Sequence, residues 1–176
     1  MAIEKILLGG GCFWCIEAAY RKVEGVVSAV SGYAGGENPN PTYQQICTGT
    51  TGHAEVVEVT FDSEIISCEE ILEIFFVIHN PTTLNAQGAD VGTQYRSVIF
   101  YYSDAQKECA QRVASSVKAN FRDPIVTELS EAPEFYKAEA YHQNYYDLNS
   151  NQGYCKVVIA PKIDKLQSSF STKLKQ

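Results

Sequence analysis

Cys12 lies in the stretch of the chain that is best suited to chemistry, between a run of glycines and two aromatic residues. The order is Gly11, Cys12, Phe13, Trp14 and Cys15. Glycine adopts backbone angles that are closed to other residues, so the chain can turn sharply just before the thiol. If a helix begins here, its unpaired N–H groups and its dipole favour an anion, and we expect a lowered pKa for the Cys12 thiol. The stretch therefore predicts a reactive cysteine that faces an apolar group.

The sequence around this motif predicts the elements that position it. A strand over 3–8 precedes the glycines and a helix over 13–23 follows them, which puts Cys12 in the first turn of that helix. Further strands are predicted over 25–33, 53–61, 96–102, 125–129 and 154–160, and further helices over 67–79 and 104–121. Ser67 followed by Glu70 has the spacing of a capping box at the start of the second helix.

The pattern of elements indicates one α+β domain that spans residues 1–176 and has no internal repeat. Its polar tail, over 168–176, is expected to fray. Two longer irregular segments, 32–52 and 80–94, are rich in Gly, Asn, Pro and Thr. Long loops of this kind often carry function. We expect both to arch over the start of the first helix, so that the site is a loop-built basin on a rigid frame.

Composition and charge exclude several classes of function. The chain has 176 residues and 45% hydrophobic content, which suits one domain with a sizeable core. Its 14 basic and 21 acidic residues give a net charge of −7, whereas a nucleic-acid surface needs clustered Lys and Arg. No segment approaches the ~20 apolar residues of a membrane helix, and no export signal opens the chain. We therefore expect a soluble, cytoplasmic monomer that binds neither nucleic acid nor membranes.

The chain contains six cysteines, and in a cytoplasmic protein these are expected to be free or catalytic rather than a disulfide framework. Cys68 and Cys109 fall in predicted helices, where a small buried side chain is the ordinary role. Cys47 is likewise expected to be a buried residue that packs in the core. The single CxxC, at 12 and 15, has no second CxxC or His pair at zinc spacing, so no metal site is expected.

Six short strings, in consistent order and spacing, closely resemble those of a known family. They are GGGCFWC (9–15), GYAGG (32–36), NPTY (40–43), GTTGHAEVVEV (49–59), GADVGTQYRS (88–97) and AEAYHQNYY (138–146). With them the chain resembles the peptide methionine sulfoxide reductases of the A type, over most of its length. The resemblance implies reduction of methionine S-sulfoxide, in proteins and free, with no metal or organic cofactor. It also implies thioredoxin as the reductant.

The resemblance and the pattern of elements together imply a fold class. We expect a two-layer α/β sandwich with a mixed sheet, a loop-rich periphery and a ferredoxin-like core.

The resemblance assigns the central chemistry to two residues. Cys12 matches the nucleophile, which attacks the sulfoxide sulfur, and Glu55 matches the acid that protonates the sulfoxide oxygen. A carboxyl group can act as an acid at neutral pH only if burial raises its pKa. His53 is expected to support the backbone of the site rather than act as a base, and His142 to be a structural hydrogen-bonding residue.

The resemblance also implies how the substrate is held. Tyr43 and Tyr95 match the two tyrosines whose hydroxyls bind the sulfoxide oxygen, a task that suits phenols because they donate strongly from a mostly apolar cavity. Phe13 and Trp14 match the pocket for the methyl group. Since the sulfoxide sulfur is chiral, this arrangement selects one epimer, and the resemblance implies that it is the S form. Asp90 matches a further polar residue of the site.

A second thiol is needed to resolve the sulfenic acid that reduction leaves on Cys12. Cys155 matches, by position, the first recycling cysteine of many family members. Cys15 departs from the commoner GCFWG form and lies three residues from Cys12, where a CxxC disulfide at a helix start is feasible. We favour Cys155 and keep Cys15 as the alternative.

A different function also has a sequence basis. A thioredoxin-like thiol–disulfide oxidoreductase uses a CxxC at the start of a helix, as the chain has at Cys12 and Cys15. Dithiol exchange would leave Glu55 and the two tyrosine-bearing loops without a role. Reduction of insulin disulfides without any sulfoxide would distinguish this alternative.

Overall fold

A six-stranded sheet with helices packed against it forms the frame of the protein. The computed structural model describes residues 2–37, 39–88, 90–149, 151–153 and 155–170. The strands are β1 (Ile3–Gly9), β2 (Val26–Ala34), β3 (Ala54–Asp62), β4 (Ala86–Gln87), β5 (Asp90–Val91), β6 (Val98–Tyr101), β7 (Glu128–Glu131) and β8 (Tyr136–Lys137). The helices are α1 (Phe13–Arg21), α2 (Tyr43–Cys47), α3 (Cys68–Ile78), α4 (Asp104–Val117), α5 (Tyr145–Asn149) and α6 (Ala160–Phe170).

The main sheet has the strand order β7-β6-β1-β3-β2-β8. The central strand β1 is antiparallel to both β3 and β6, and β2 is antiparallel to β3 and β8. Only the pair of β6 and β7 is parallel among the strand pairs of the main sheet that the structure describes. The sheet is therefore mixed, as predicted, and mostly antiparallel.

The core lies on both faces of the sheet, in keeping with the alternation of side chains along a strand. Ile6 and Leu8 of β1 join the larger apolar cluster, which is shared with α1, α3 and α6. Leu7, between them, points to the opposite face and joins a smaller cluster with Val98 and Phe100. The helical face thus holds most of the buried apolar surface, and α1 packs directly on β1, β2 and β3.

The predicted strand over 154–160 is wrong. Cys155–Ile159 is a π-helical turn that runs into α6, and residue 154 lies outside the described residues. The buried positions are Cys155, Ile159, Ile163 and Leu166, which repeat with helical spacing. The apolar run 155–160 is too short to show this helical spacing, which becomes visible only when Ile163 and Leu166 are included. Positions 168–170 of the tail that was expected to fray form the end of α6, and 171–176 lie outside the described residues.

The other predicted elements differ from the observed ones mainly at their ends. The strand predicted over 125–129 is β7, which begins later than expected, at Glu128. Helix α4 ends before the predicted residue 121 and gives way to a 3-10 turn over Lys118–Asn120. The predicted capping box is confirmed, since Ser67 Oγ accepts from the backbone N–H of Glu70. None of the described helices has the length and apolar content needed to cross a membrane.

Candidate active site

Cys12 caps the N-terminus of α1, at the point where the chain leaves the central strand. It has extended backbone angles (φ −64°, ψ 129°), so it precedes the first helical residue rather than lying in the first turn as expected. Gly11 has φ 87°, and a Cβ there would lie 2.8 Å from Gln87 Cβ. Its N–H donates to the carbonyl of Tyr95 (3.1 Å). The turn that presents Cys12 therefore requires glycine. It packs against Gln87 of the segment 80–94 and is hydrogen-bonded to Tyr95, the next residue after that segment.

Glu55, on β3, is a buried carboxyl beside the start of the same helix. Its exposure is 1%, and its Oε1 accepts from the backbone N–H of Phe13 (3.1 Å). Its Oε2 is buried and has no hydrogen-bond partner in the structure. Burial raises the pKa of Glu55 to about 8, the Phe13 N–H opposes the rise, and the nearby Asp90 adds to it. The carboxyl is therefore mostly protonated at neutral pH, which is the state that an acid requires.

Tyr43 and Tyr95 supply two phenol groups to the same basin. Tyr43 begins α2, and Tyr95 ends a short 3-10 turn; both side chains are half-buried. Burial raises the pKa of each phenol well above its ordinary value, and the charge of Glu55 raises it further. Cys12 also contributes to the rise at Tyr95. Both hydroxyls therefore remain protonated and can donate hydrogen bonds.

Two further residues of the sequence-based prediction lie around this basin. Asp90 begins β5 and is half-buried, and its charge reaches Glu55 and Tyr95. His53 accepts at Nδ1 from the backbone N–H of Gly36 (3.0 Å), which confirms its predicted role in supporting the backbone. Within the described ranges, no three His, Cys, Asp or Glu residues are grouped to hold a metal ion.

Phe13 and Trp14 follow Cys12 into the helix and differ in burial. Phe13 is fully buried, with ring centroids 5.6 Å from Tyr33 and 5.1 Å from His142. Trp14 is half-buried and stacks on Tyr145 at 3.7 Å, with the two planes 8° apart. Its Nε1 donates to His142 Nδ1 (3.1 Å), which confirms the predicted structural role of that histidine. Burial lowers the pKa of His142, so the imidazole is mostly neutral at neutral pH.

Glu139 is a site residue that reasoning from the residue types missed. Its carboxylate accepts from the Tyr33 hydroxyl (2.9 Å), the Tyr43 backbone N–H (2.9 Å) and the Tyr141 hydroxyl (3.3 Å). Burial alone would raise the pKa of Glu139, but the hydrogen bonds from the Tyr43 N–H, from its own N–H and from the Tyr33 hydroxyl outweigh it, and the pKa is lowered. Its place in the string 138–146 was a signal, but Tyr33 and Tyr43, the partners that connect it to the site, are distant in sequence. Glu139 fixes the start of α2 and so the position of Tyr43.

The two candidate resolving thiols are both buried. Cys15 is 2% exposed and Cys155 is fully buried, and both belong to the apolar cluster that also contains Cys12. Burial raises the pKa of the Cys155 thiol. The π-helical turn that carries Cys155 packs against α1, so the structure brings all three thiols to the same helix.

The remaining cysteines match the predictions in part. Cys47, expected to be buried, is exposed, because it ends the short surface helix α2, where it lies against the Tyr43 hydroxyl. Cys109 is buried as predicted. Cys68 is half-buried and in hydrogen-bond contact with Cys109. The prediction for Cys47 is therefore wrong.

A thiol beside a protonated carboxyl can attack a polarised centre while the carboxyl protonates the oxygen attached to it. The fold and the site thus define a thiol-based oxidoreductase. A family model described as "Peptide methionine sulfoxide reductase" matches residues 4–174. The chain belongs to the peptide methionine sulfoxide reductase family.

Individual relatives agree with this assignment. Peptide methionine sulfoxide reductase MsrA of Polynucleobacter asymbioticus is 54% identical over 172 residues, covering 97% of this chain and 90% of that protein. Mxr1 of Saccharomyces cerevisiae in reduced form superposes with a TM-score of 0.83 at 38% identity, covering 88% of this chain and 90% of the other. Mxr1 in complex with Trx2 gives a TM-score of 0.59 at 28% identity, covering 82% and 85%.

Proposed function

We propose that the protein reduces methionine S-sulfoxide, in proteins and free, to methionine. The observation that carries the proposal is Glu55, a buried carboxyl whose pKa is raised to about 8, hydrogen-bonded to the residue next to Cys12. The Cys12 thiolate attacks the sulfoxide sulfur while Glu55 protonates the oxygen. The net step turns thiol and sulfoxide into a Cys12 sulfenic acid and the methionine thioether. A dithiol exchange enzyme would have no use for this acid.

The substrate is held by the residues around the acid. Tyr43 and Tyr95 donate to the sulfoxide oxygen, which is supported by their protonated state beside Glu55. Phe13 and Trp14 hold the methyl group, which is supported by their place on the first turn of α1. The side chain of Asp90 completes the polar side of the basin.

The sulfenic acid is then resolved by Cys155, with release of water and formation of a disulfide with Cys12. Support comes from the burial of both thiols in one apolar cluster and from the packing of the Cys155 turn on α1. Cys15 is the alternative partner. Mass spectrometry after one equivalent of substrate tests this step: a disulfide only between Cys12 and Cys15, with normal turnover of Cys155→Ser, would overturn the assignment.

Thioredoxin reduces the disulfide and closes the cycle. Support comes from Mxr1, a relative whose structure has been solved in complex with Trx2. A thioredoxin-dependent enzyme with buried thiols suits the cytoplasm, where this reductant keeps cysteines reduced. We place the protein there as a monomer.

We also propose that the whole chain, 1–176, is one catalytic domain built as a two-layer sandwich on a ferredoxin-like core. The support is the order β6-β1-β3-β2 of four antiparallel strands, with α1 between β1 and β2 and α3 between β3 and β6. Strands β7 and β8 extend this core at its edges, and β4 and β5 form a separate two-stranded sheet.

The function is tested with separated R and S epimers of methionine sulfoxide, free and in a peptide, with and without thioredoxin. We expect multiple turnovers of the S epimer with thioredoxin and none of the R epimer. Cys12→Ser is expected to abolish reduction outright. Turnover of the R epimer, or thioredoxin-like reduction of insulin disulfides without sulfoxide turnover, would contradict the proposal.

A further inference from the structure

Glu17 is a buried carboxyl that the proposed reaction does not use. It lies on α1, four residues after Phe13, and is 1% exposed. Its Oε1 accepts from Ser31 Oγ (2.9 Å) and its Oε2 from Arg21 Nε (3.3 Å) and from the backbone N–H of Asn144. A buried carboxyl lowers stability unless such donors satisfy it. The position of Glu17 therefore points to a specific task.

One partner of Glu17, Asn144, belongs to a segment, 142–145, that is held by hydrogen bonds at two places. Asn144 has a left-handed backbone (φ 55°) and donates its N–H to Glu17. The preceding Gln143 accepts at Oε1 from the Ser31 N–H (3.0 Å) and donates from Nε2 to the Ser31 carbonyl (2.9 Å). The segment is thus fastened to α1 by Glu17 and to β2 by Gln143.

Trp14 contacts the residues on either side of this attachment. His142 accepts the hydrogen bond from the indole N–H, and Tyr145 stacks on the indole face. Trp14 lies three residues before Glu17 on the same helix. One helix therefore carries both the indole ring and the carboxylate that fixes the two neighbours of that ring.

We propose that Glu17 is a positioning residue that fixes segment 142–145 against Trp14 and so sets the shape of the substrate's methyl pocket. It acts through His142 and Tyr145 rather than on the reacting atoms. The proposal rests on the proposed function, because the pocket has this meaning only for a sulfoxide substrate. It deepens that function by assigning the shape of the pocket to a residue that lies outside it.

The placement of Trp14 can be measured without substrate, since it is the only tryptophan of the chain. Glu17→Gln removes the negative charge that strengthens the hydrogen bonds from Arg21 and Asn144, and its NH2 group can pair only with Ser31 Oγ, which must then accept. We expect a red-shifted emission maximum and stronger acrylamide quenching. The matched control is Glu58→Gln, which changes a carboxylate of β3 paired with a surface lysine and should leave the emission unchanged.

The same variants give a kinetic readout. For a peptide that contains methionine S-sulfoxide, Glu17→Gln should raise KM about tenfold and leave kcat within about twofold, since the weakened contacts hold the pocket and not the reacting centre. Tyr145→Leu, which removes the stacked ring directly, should raise KM in the same way. The double variant should add little, because both changes act on one arrangement. A folded Glu17→Gln protein with wild-type emission and KM would overturn the proposal, as would fully additive effects.

Two further results keep the test decisive. If Glu17→Gln does not fold, Ser31→Ala removes one hydrogen bond from the same carboxylate and should shift emission and KM in the same direction by less; no shift there would overturn the proposal. If the wild-type protein reduces no sulfoxide, the proposed function fails. The emission of Glu17→Gln then still reports on the attachment of segment 142–145.

Discussion

At the scale of single residues, Glu55 meets two requirements with one carboxyl. Burial keeps it protonated, and the N–H of Phe13 fixes one of its oxygens in place. The other oxygen is buried and has no partner in the structure. Such a group lowers the stability of a fold, and proteins keep one where the site needs it. The proposed reaction therefore uses a group that a purely structural core would not contain.

The pH dependence of the chemical step should follow Glu55. Because only the protonated carboxyl can donate, the single-turnover rate should fall as pH rises through about 8, approaching tenfold per unit. In Glu55→Gln the rate at neutral pH should drop by roughly 10²–10⁴-fold, with binding largely retained and the alkaline decline absent. Rapid-mixing single-turnover rates measure both. Full rates in the variant would remove Glu55 as the acid.

The raised pKa of Glu55, which favours the proposed reaction, should lower the free energy of unfolding as pH rises. Between pH 4.5, the ordinary pKa of Glu, and about 8, the unfolded state has released a proton that folded Glu55 retains, so wild-type stability falls as pH rises. Glu55→Gln removes this dependence and should be more stable than wild type by about 2 kcal/mol or more at pH 8, with little difference below pH 4.5. Urea unfolding at the two pH values tests this. A constant difference would contradict it, and Glu58→Gln is the control.

At the scale of elements, the start of α1 was predictable and the C-terminal helix was not. The glycines before Cys12 and the helical spacing after it mark a turn into a helix within one short window. Apolar residues 155–160 are too short a run to separate a strand from a helix, and only Ile163 and Leu166 reveal the helical period. Glu17 and Glu139 were missed for a related reason. The partners that connect them to the site, Asn144 for Glu17 and Tyr33 and Tyr43 for Glu139, lie more than 90 residues away, and a sequence shows the residue without its partner.

The two capping boxes offer a matched comparison between elements. Thr42 caps α2, which carries Tyr43, and Ser67 caps α3, which lies away from the site. Loss of a cap weakens a helix by about 1 kcal/mol. Thr42→Ala should lower kcat/KM for the S epimer by about fivefold, because the cap that fixes the first residue of α2, Tyr43, is lost. Ser67→Ala should lower the free energy of unfolding by about 1 kcal/mol and leave kcat/KM unchanged.

The outcome that would contradict this prediction is equal activity in the two variants. Urea unfolding and steady-state kinetics on both proteins provide the comparison. Equal activity would mean that Glu139, which accepts from the Tyr43 N–H, holds the start of α2 without help from the cap.

At the scale of the whole molecule, the C-terminal part from α5 to α6 packs against α1, the helix that follows Cys12. The π-helical turn and α6 both contact α1, and Cys155, the first residue of that turn, is fully buried. A buried thiol with a raised pKa is slow to react where it stands. A disulfide between Cys12 and Cys155 therefore needs this part of the molecule to rearrange.

Hydrogen exchange should detect that rearrangement. In the oxidised protein, amides of 145–170 should exchange faster than in the reduced protein, because the apolar contacts of Cys155 and its neighbours are lost. Amides of β1 and β3 provide the internal control and should not change. Unchanged exchange over 145–170 in protein shown to carry an intramolecular disulfide would indicate that Cys15, already on α1, is the partner.

The hydrogen bond from the Phe13 amide to Glu55 has a mechanical consequence. The amide belongs to the peptide unit directly after Cys12, so the proposed acid is held to the backbone that carries the proposed nucleophile. Because Glu55 lies on β3, the same hydrogen bond ties the start of α1 to the sheet. While this bond holds, the two groups stay together even when the C-terminal part of the molecule rearranges to bring in a second thiol.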